Sequence, residues 1–155
     1  MPYNVSVSPW ASGTLPTSGP ANAPNVGVCI LQQSANIGFG NTLVSQQLLY
    51  IPPGSKIVSI YIDVLTAFNS ASSATVSIGV TSGGTDYVSG INAKVAGRAT
   101  ITYTAAQLAA MSNQTLTGGA SPTPTSVYIT VTSVGQPTAG YLTAGINYQQ
   151  LSTPN

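Results

Sequence analysis

Between Val26 and Gln149 apolar residues return at every second position in short runs, and clusters of Gly, Pro, Asn or Ser interrupt the runs about every ten residues. A period of two belongs to an extended chain, whose successive side chains point to opposite faces, so the sequence is committed to strands that each bury one face. In "KIVSIYIDVL" the alternation sets Val58, Ile60, Ile62 and Val64 on one face and Ser59, Tyr61 and Asp63 on the other. "ATVSIGVT" does the same with Val76, Ile78 and Val80, and "SVYITVT" with Val127, Ile129 and Val131.

The runs predict strands near 26–33, 42–50, 56–66, 74–82, 98–103, 126–134 and 140–149. One helix is expected over 104–112, "TAAQLAAMS", where Thr104 can cap and the alanines favour helix; it would close one end of the fold. The expected fold is all-β: a single antiparallel β-sandwich, jelly-roll or immunoglobulin-like, with one short helix. The pattern V-x-I-x-V-T-S-x-G occurs at Val76 to Gly84 and again at Val127 to Gly135, reading either as two related hairpins or as ordinary alternation.

Residues 1–25 hold five of the eleven prolines without sustained periodicity, which marks an extended N-terminal arm ahead of a sandwich at 26–150 and a frayed end at 151–155. In polyproline II form, at about 3.1 Å per residue, the arm could reach on the order of 70 Å. Tyr3 and Trp10, the latter the single tryptophan, are its candidate interface anchors. Trp10 could equally fold back onto its own sandwich.

Composition then bounds the function. Charged residues make up 3% of the 155, against roughly 25% in ordinary soluble domains, so the surface must be built from hydroxyls, amides, glycine and backbone. A near-neutral surface of this kind tolerates close packing against other proteins, and it also suits an extracellular domain that relies on hydroxyls for solubility. Three cations, Lys56, Lys94 and Arg98, are too few for the phosphate contacts on which nucleic-acid binding rests. No apolar stretch is long enough to span a membrane, and "MPYNVSVSPW" has neither the basic region nor the apolar core of an export signal. Cys29 is the one cysteine; without an intrachain partner it fits a reducing compartment and reads as a buried, inert thiol.

Chemistry finds few residues to work with. There is no histidine and no glutamate, and the carboxylate side chains are Asp63 and Asp86 alone. A glycosidase would need the two at about 5 to 9.5 Å, yet one falls in mid-strand and the other in the turn "TSGGTDYVSG". Asp86 with neighbouring carbonyls would make at best a weak calcium site. Ser55 and Lys56 are adjacent in an extended segment, so their side chains diverge and cannot form a nucleophile–base pair. The phosphate-binding G-x-G-x-x-G pattern is absent. No enzyme activity, metal or cofactor is expected. Asp63 is assigned to solvating its face, discouraging wrong strand pairing, or meeting Lys56, Lys94 or Arg98 on this or another subunit.

Taken together, "IPPGSKIVSIYIDVLTAFN", "ATVSIGV", "TSGGTDYVSG" and "AGRATITYT" resemble small virion proteins of tailed bacteriophages, notably head decoration or cement proteins. The likeness spans roughly residues 43–148 and is one of pattern and composition. It implies a structural protein that binds the outside of the assembled capsid, often as a trimer at local threefold positions, and stiffens it against internal DNA pressure. It further implies assembly in the host cytoplasm and a major capsid protein lattice as partner; the candidate interface residues besides the arm are Tyr61, Asp63, Lys94 and Arg98. The alternative is a tail or fibre component that binds a receptor or glycan through Asp86, Tyr87 and Asn92. A secreted adhesin module is a third possibility, at odds with the absence of a visible export signal.

Overall fold

The computed structural model describes residues 30–40, 44–52, 55–113 and 124–150. The arm at 1–25 with Tyr3 and Trp10, Cys29 and the C-terminal 151–155 lie outside the described residues. The chain runs β1 (Ile30–Gly38), β2 (Val44–Ile51), β3 (Ser55–Thr66), β4 (Ser73–Gly79), β5 (Val88–Asn92), β6 (Gly97–Arg98), α1 (Ala105–Asn113), β7 (Thr125–Val134) and β8 (Tyr141–Gln150).

Two four-stranded sheets result, in the orders β1-β8-β3-β6 and β2-β7-β4-β5, with antiparallel pairing throughout. β1 pairs with β8, β2 with β7, β3 with β6 and β4 with β5, as when one long hairpin is folded over on itself; β3–β8 and β4–β7 pairing then completes each sheet. That connectivity is a jelly roll, which decides between the two sandwich types expected.

The core fills the space between the inner faces. Ile60, Ile62, Val64, Leu142, Ala144 and Ile146 come from the first sheet, and Val76, Ile78, Val127, Ile129 and Val131 from the second; all are buried. The two copies of V-x-I-x-V are not two hairpins. They are direct partners in the second sheet, with Val76 opposite Val131 and Ile78 opposite Ile129, so the shared pattern builds one continuous apolar ladder.

Two departures from the expected pattern have local causes. The β3–β8 register shifts between Ile57 and Ser59, so Val58 is an extra residue: Ile57 is buried in its place and Val58 is 45% exposed. A second shift lies between Val64 and Thr66, where Leu65, already in the outward phase, is 61% exposed. The strand expected over 98–103 is reduced to Gly97–Arg98, because past Ala99 a side chain takes over from the backbone. The Tyr103 hydroxyl accepts the Ile60 N–H at 3.2 Å and faces the Ile60 carbonyl at 3.3 Å, which closes that edge of β3.

β5 was not foreshadowed by alternation. Its sequence, "VSGIN", carries turn residues, and Gly90 sits at φ 65°. α1 begins where expected. Gln107 N–H donates to Thr104 Oγ1 at 3.2 Å and Thr104 N–H donates to Gln107 Oε1 at 2.9 Å, a reciprocal capping box. The helix packs against β3 and buries Met111.

Candidate interaction surface

Tyr61, Asp63 and Arg98 meet on the outer face of the first sheet. Asp63 and Arg98 are directly opposed in the β3–β6 pair, which places a short acid and a forked cation at cross-strand distance. Arg98 Nε donates to Asp63 Oδ1 and Nη2 to Oδ2, both at 2.7 Å, a bidentate ion pair. The guanidinium also stands 5.3 Å from the centre of the Tyr61 ring. The hydrogen bonds from Arg98 hold the Asp63 carboxyl below its ordinary value, and Asp63 in turn raises the Arg98 guanidinium.

The ring of Tyr61 continues across the sheet. It lies over Gly145 of β8, where any Cβ would collide with it, and its hydroxyl accepts from Gln32 Nε2 of β1 at 2.5 Å. Asn36 and Thr143 are joined at 2.7 Å, and Asn147 and Ser59 at 2.9 Å. The face is a hydrogen-bonded polar lattice around one internally neutralised ion pair, with the exposed Lys56 towards its other end.

Lys94 is engaged elsewhere. Its ammonium donates to the carbonyl oxygens of Ser70, Ala71 and Ser72 at 2.9, 3.4 and 3.2 Å, fastening the β3–β4 connection. Asp86 Oδ2 accepts the Val80 N–H at 3.0 Å and so closes the β4–β5 loop. Asn92 Oδ1 accepts the Lys94 N–H at 2.9 Å, a side-chain turn. Four of the five charged side chains are thus committed within the chain.

Tyr87 corrects an expectation. Although it follows Asp86 in a turn-rich segment, its N–H donates to the Ile78 carbonyl at 3.0 Å and the side chain is wholly buried in the core. It cannot stack on a sugar. Asp63 lies on β3 and is held by Arg98, whereas Asp86 lies in the β4–β5 loop and is held by the Val80 N–H, so they serve separate contacts and do not form a carboxylate pair. Ser55 is buried while Lys56 is exposed, the divergence that extended geometry requires. Among the described residues no group of three or more metal-ligating side chains occurs.

What alternation did not reveal is an apolar row at one end of the first sheet. In strand order it runs from Phe39, just after β1, to Tyr141 at the start of β8, Leu65 at the β3 bulge, and Val95 just before β6; all four are exposed. By register Phe39 keeps the inward phase of Ile37 and Tyr141 takes the outward one, so the four residues cluster at this end of the sheet without sharing one face. The connections behind it are braced: Asn69 Oδ1 accepts from Thr138 and Ala139 N–H at 2.8 and 3.0 Å, and Phe39 N–H donates to Gly140 O at 2.9 Å. With the Lys94 ammonium turned onto carbonyls, that end presents apolar side chains without a competing charge.

The described residues form one jelly roll of two four-stranded sheets. No protein-family model matches the chain, and no curated protein matches its sequence. Among solved structures it is similar to a chain of the cyanophage Pam1 capsid asymmetric unit, at 15% identity and a TM-score of 0.51, covering 97% of this chain and 100% of that one. At that identity the likeness is one of fold.

Proposed function

We propose that this protein is a non-enzymatic structural component of a bacteriophage-like virion that docks on the outer surface of the assembled capsid and stabilises it. The observation that carries the reading is the two-way coverage of the structural likeness. The similar chain in the cyanophage Pam1 capsid asymmetric unit is covered over 100% of its length and this chain over 97%, which supports a capsid setting for a fold of this extent.

The surface supports adhesion without chemistry. Capsid binding would draw on the apolar row of Phe39, Leu65, Val95 and Tyr141 and on the polar lattice around Tyr61, with repeated copies adding avidity. Tyr3 and Trp10 add aromatic contacts to neighbours, and association is in threes on the lattice. The partner is the major capsid protein; assembly in the host cytoplasm needs neither cofactor nor nucleic-acid contact. The tail or fibre alternative, with glycan binding, loses Tyr87 as a contact because that ring belongs to the core.

Few charged groups remain to contact a partner, so attachment should withstand salt. Decorated particles washed in high salt should keep the protein, and wholesale release would sink the reading. Trp10→Ala should weaken attachment by about 2 kcal/mol or more if Trp10 is an interface anchor. Glycan-array binding by the isolated protein would favour the alternative.

A further inference from the structure

The two flanks of the sandwich are finished differently. At the flank opposite β1, β6 is two residues long and carries Arg98, β5 is five residues with a register shift, and Tyr103 plugs the edge of β3. Short strands, irregular pairing, charge and covering side chains are the devices that keep sheet edges from pairing with other chains. Among the described residues β1 shows none of them. It is nine residues, "ILQQSANIG", without charge or proline, and its register against β8 is unbroken; among the described residues it pairs with β8 alone.

The direction of its backbone groups follows from one hydrogen bond. Phe39 N–H donates to Gly140 O, which continues the β1–β8 register by one step and makes that a hydrogen-bonded position. Antiparallel ladders alternate, so Ile37, Ala35, Gln33 and Leu31 also address β8, while Gly38, Asn36, Ser34, Gln32 and Ile30 turn their N–H and C=O groups to the open edge. Ser34 is the middle residue of the strand. The side chains do not obstruct this edge: Gln32 is drawn back onto the Tyr61 hydroxyl and Asn36 onto Thr143.

From this geometry we infer that β1 is a docking edge for the β1 strand of a second copy of this chain, antiparallel and related by a twofold axis through Ser34. Such a contact is isologous and must be self-complementary. The sequence meets that condition: Gln32 falls opposite Asn36 of the other copy, Leu31 opposite Ile37, and Ile30 opposite Gly38. No like charges meet. The result is one continuous sheet of eight strands, with Leu31, now 38% exposed, covered at the seam. The pairing is independent of capsid binding and can bridge neighbouring oligomers on a lattice.

The test is the solution mass of the full chain by light scattering after size exclusion. A species of twice 15.6 kDa that dissociates on dilution is expected. Ser34→Pro removes an N–H that does not serve β8, and Ser34→Lys sets two ammonium groups opposite one another at the axis; each should give a monomer with unchanged far-ultraviolet circular dichroism. If the proline variant misfolds, the lysine variant decides alone. Amides of Gln32, Ser34 and Asn36 should exchange slowly in the dimer and fast in the lysine variant. A monomeric wild type, a dimer or trimer untouched by the variants, or protection of those amides that is independent of concentration would each overturn the inference, the last by showing that the chain's own residues cover the edge.

Discussion

The ring of Tyr61 occupies the space that a side chain at Gly145 would need, so β8 carries a glycine beneath an aromatic from β3. The arrangement lets one side chain span three strands, from Arg98 on one side to Gln32 on the other. It also separates two kinds of glycine. At Gly145 the colliding atoms are the far end of a partly exposed side chain that can swing into water. At Gly140, φ is 149° and a Cβ would stand 2.5 Å from the ring of buried Phe68, which has nowhere to go.

Gly145→Ala should therefore cost about 1 kcal/mol, the price of displacing Tyr61 from its stack and hydrogen bond. Gly140→Ala should cost about 3 kcal/mol or more, since backbone strain adds to overpacking. Urea denaturation of the two variants checks the order, and equal losses would contradict the distinction drawn from the two rings.

The Asp63–Arg98 pair makes a pH prediction of definite sign. The folded-state carboxyl is held below its ordinary value, so its contribution to stability is present above the unfolded value of about 3.9 and fades as pH falls through the lower folded one. Because the pair is exposed, the effect is small. Asp63→Asn should leave the fold intact near neutrality and flatten part of the loss of stability below about pH 4. Thermal denaturation at several pH values measures it, and an unchanged acid limb would show that the pair contributes nothing. If the same variant alters oligomerisation or particle binding, the pair also serves an interface.

Thr104→Ala removes one half of the capping box. Loss of an N-cap side chain typically costs about 1 kcal/mol. Denaturation should show that drop, with Thr104→Ser recovering most of it because its hydroxyl can still accept the Gln107 N–H.

Much of the sandwich was legible because strands with one buried face must alternate, and β3, β4, β7 and β8 do so over most of their length. The bulge at Val58 was hidden because Ile57 and Val58 are both apolar and either phase satisfies the pattern. β5 was hidden by its own Gly90 and Asn92, and β6 by its length of two residues. Of the interface candidates, Asp63 and Arg98 could be named as charges that might pair, but their register is set by a contact between residues 35 apart. Tyr87 looked like a loop aromatic since burial there depends on the pairing of its N–H with Ile78, which no local pattern encodes. The apolar row escaped for the same reason: its four residues come from four separate parts of the chain.

That row yields the most direct test of capsid docking. Leu65 follows buried Val64 on the outward phase and is 61% exposed, and Val95 is 65% exposed, so neither contributes much to the core. Leu65→Gln and Val95→Gln should each leave the melting temperature nearly unchanged, because surface substitutions away from packed sites usually stay within about 0.5 kcal/mol. On particles the outcome should differ: burying an apolar side chain of this size is worth about 1.5 to 3 kcal/mol, so losing one at a contact should weaken attachment roughly tenfold or more. Quantifying bound protein on purified particles at a series of concentrations checks this. Full binding by the double variant would remove this end of the sheet from the docking face and leave the outer face around Tyr61 as the surface to probe.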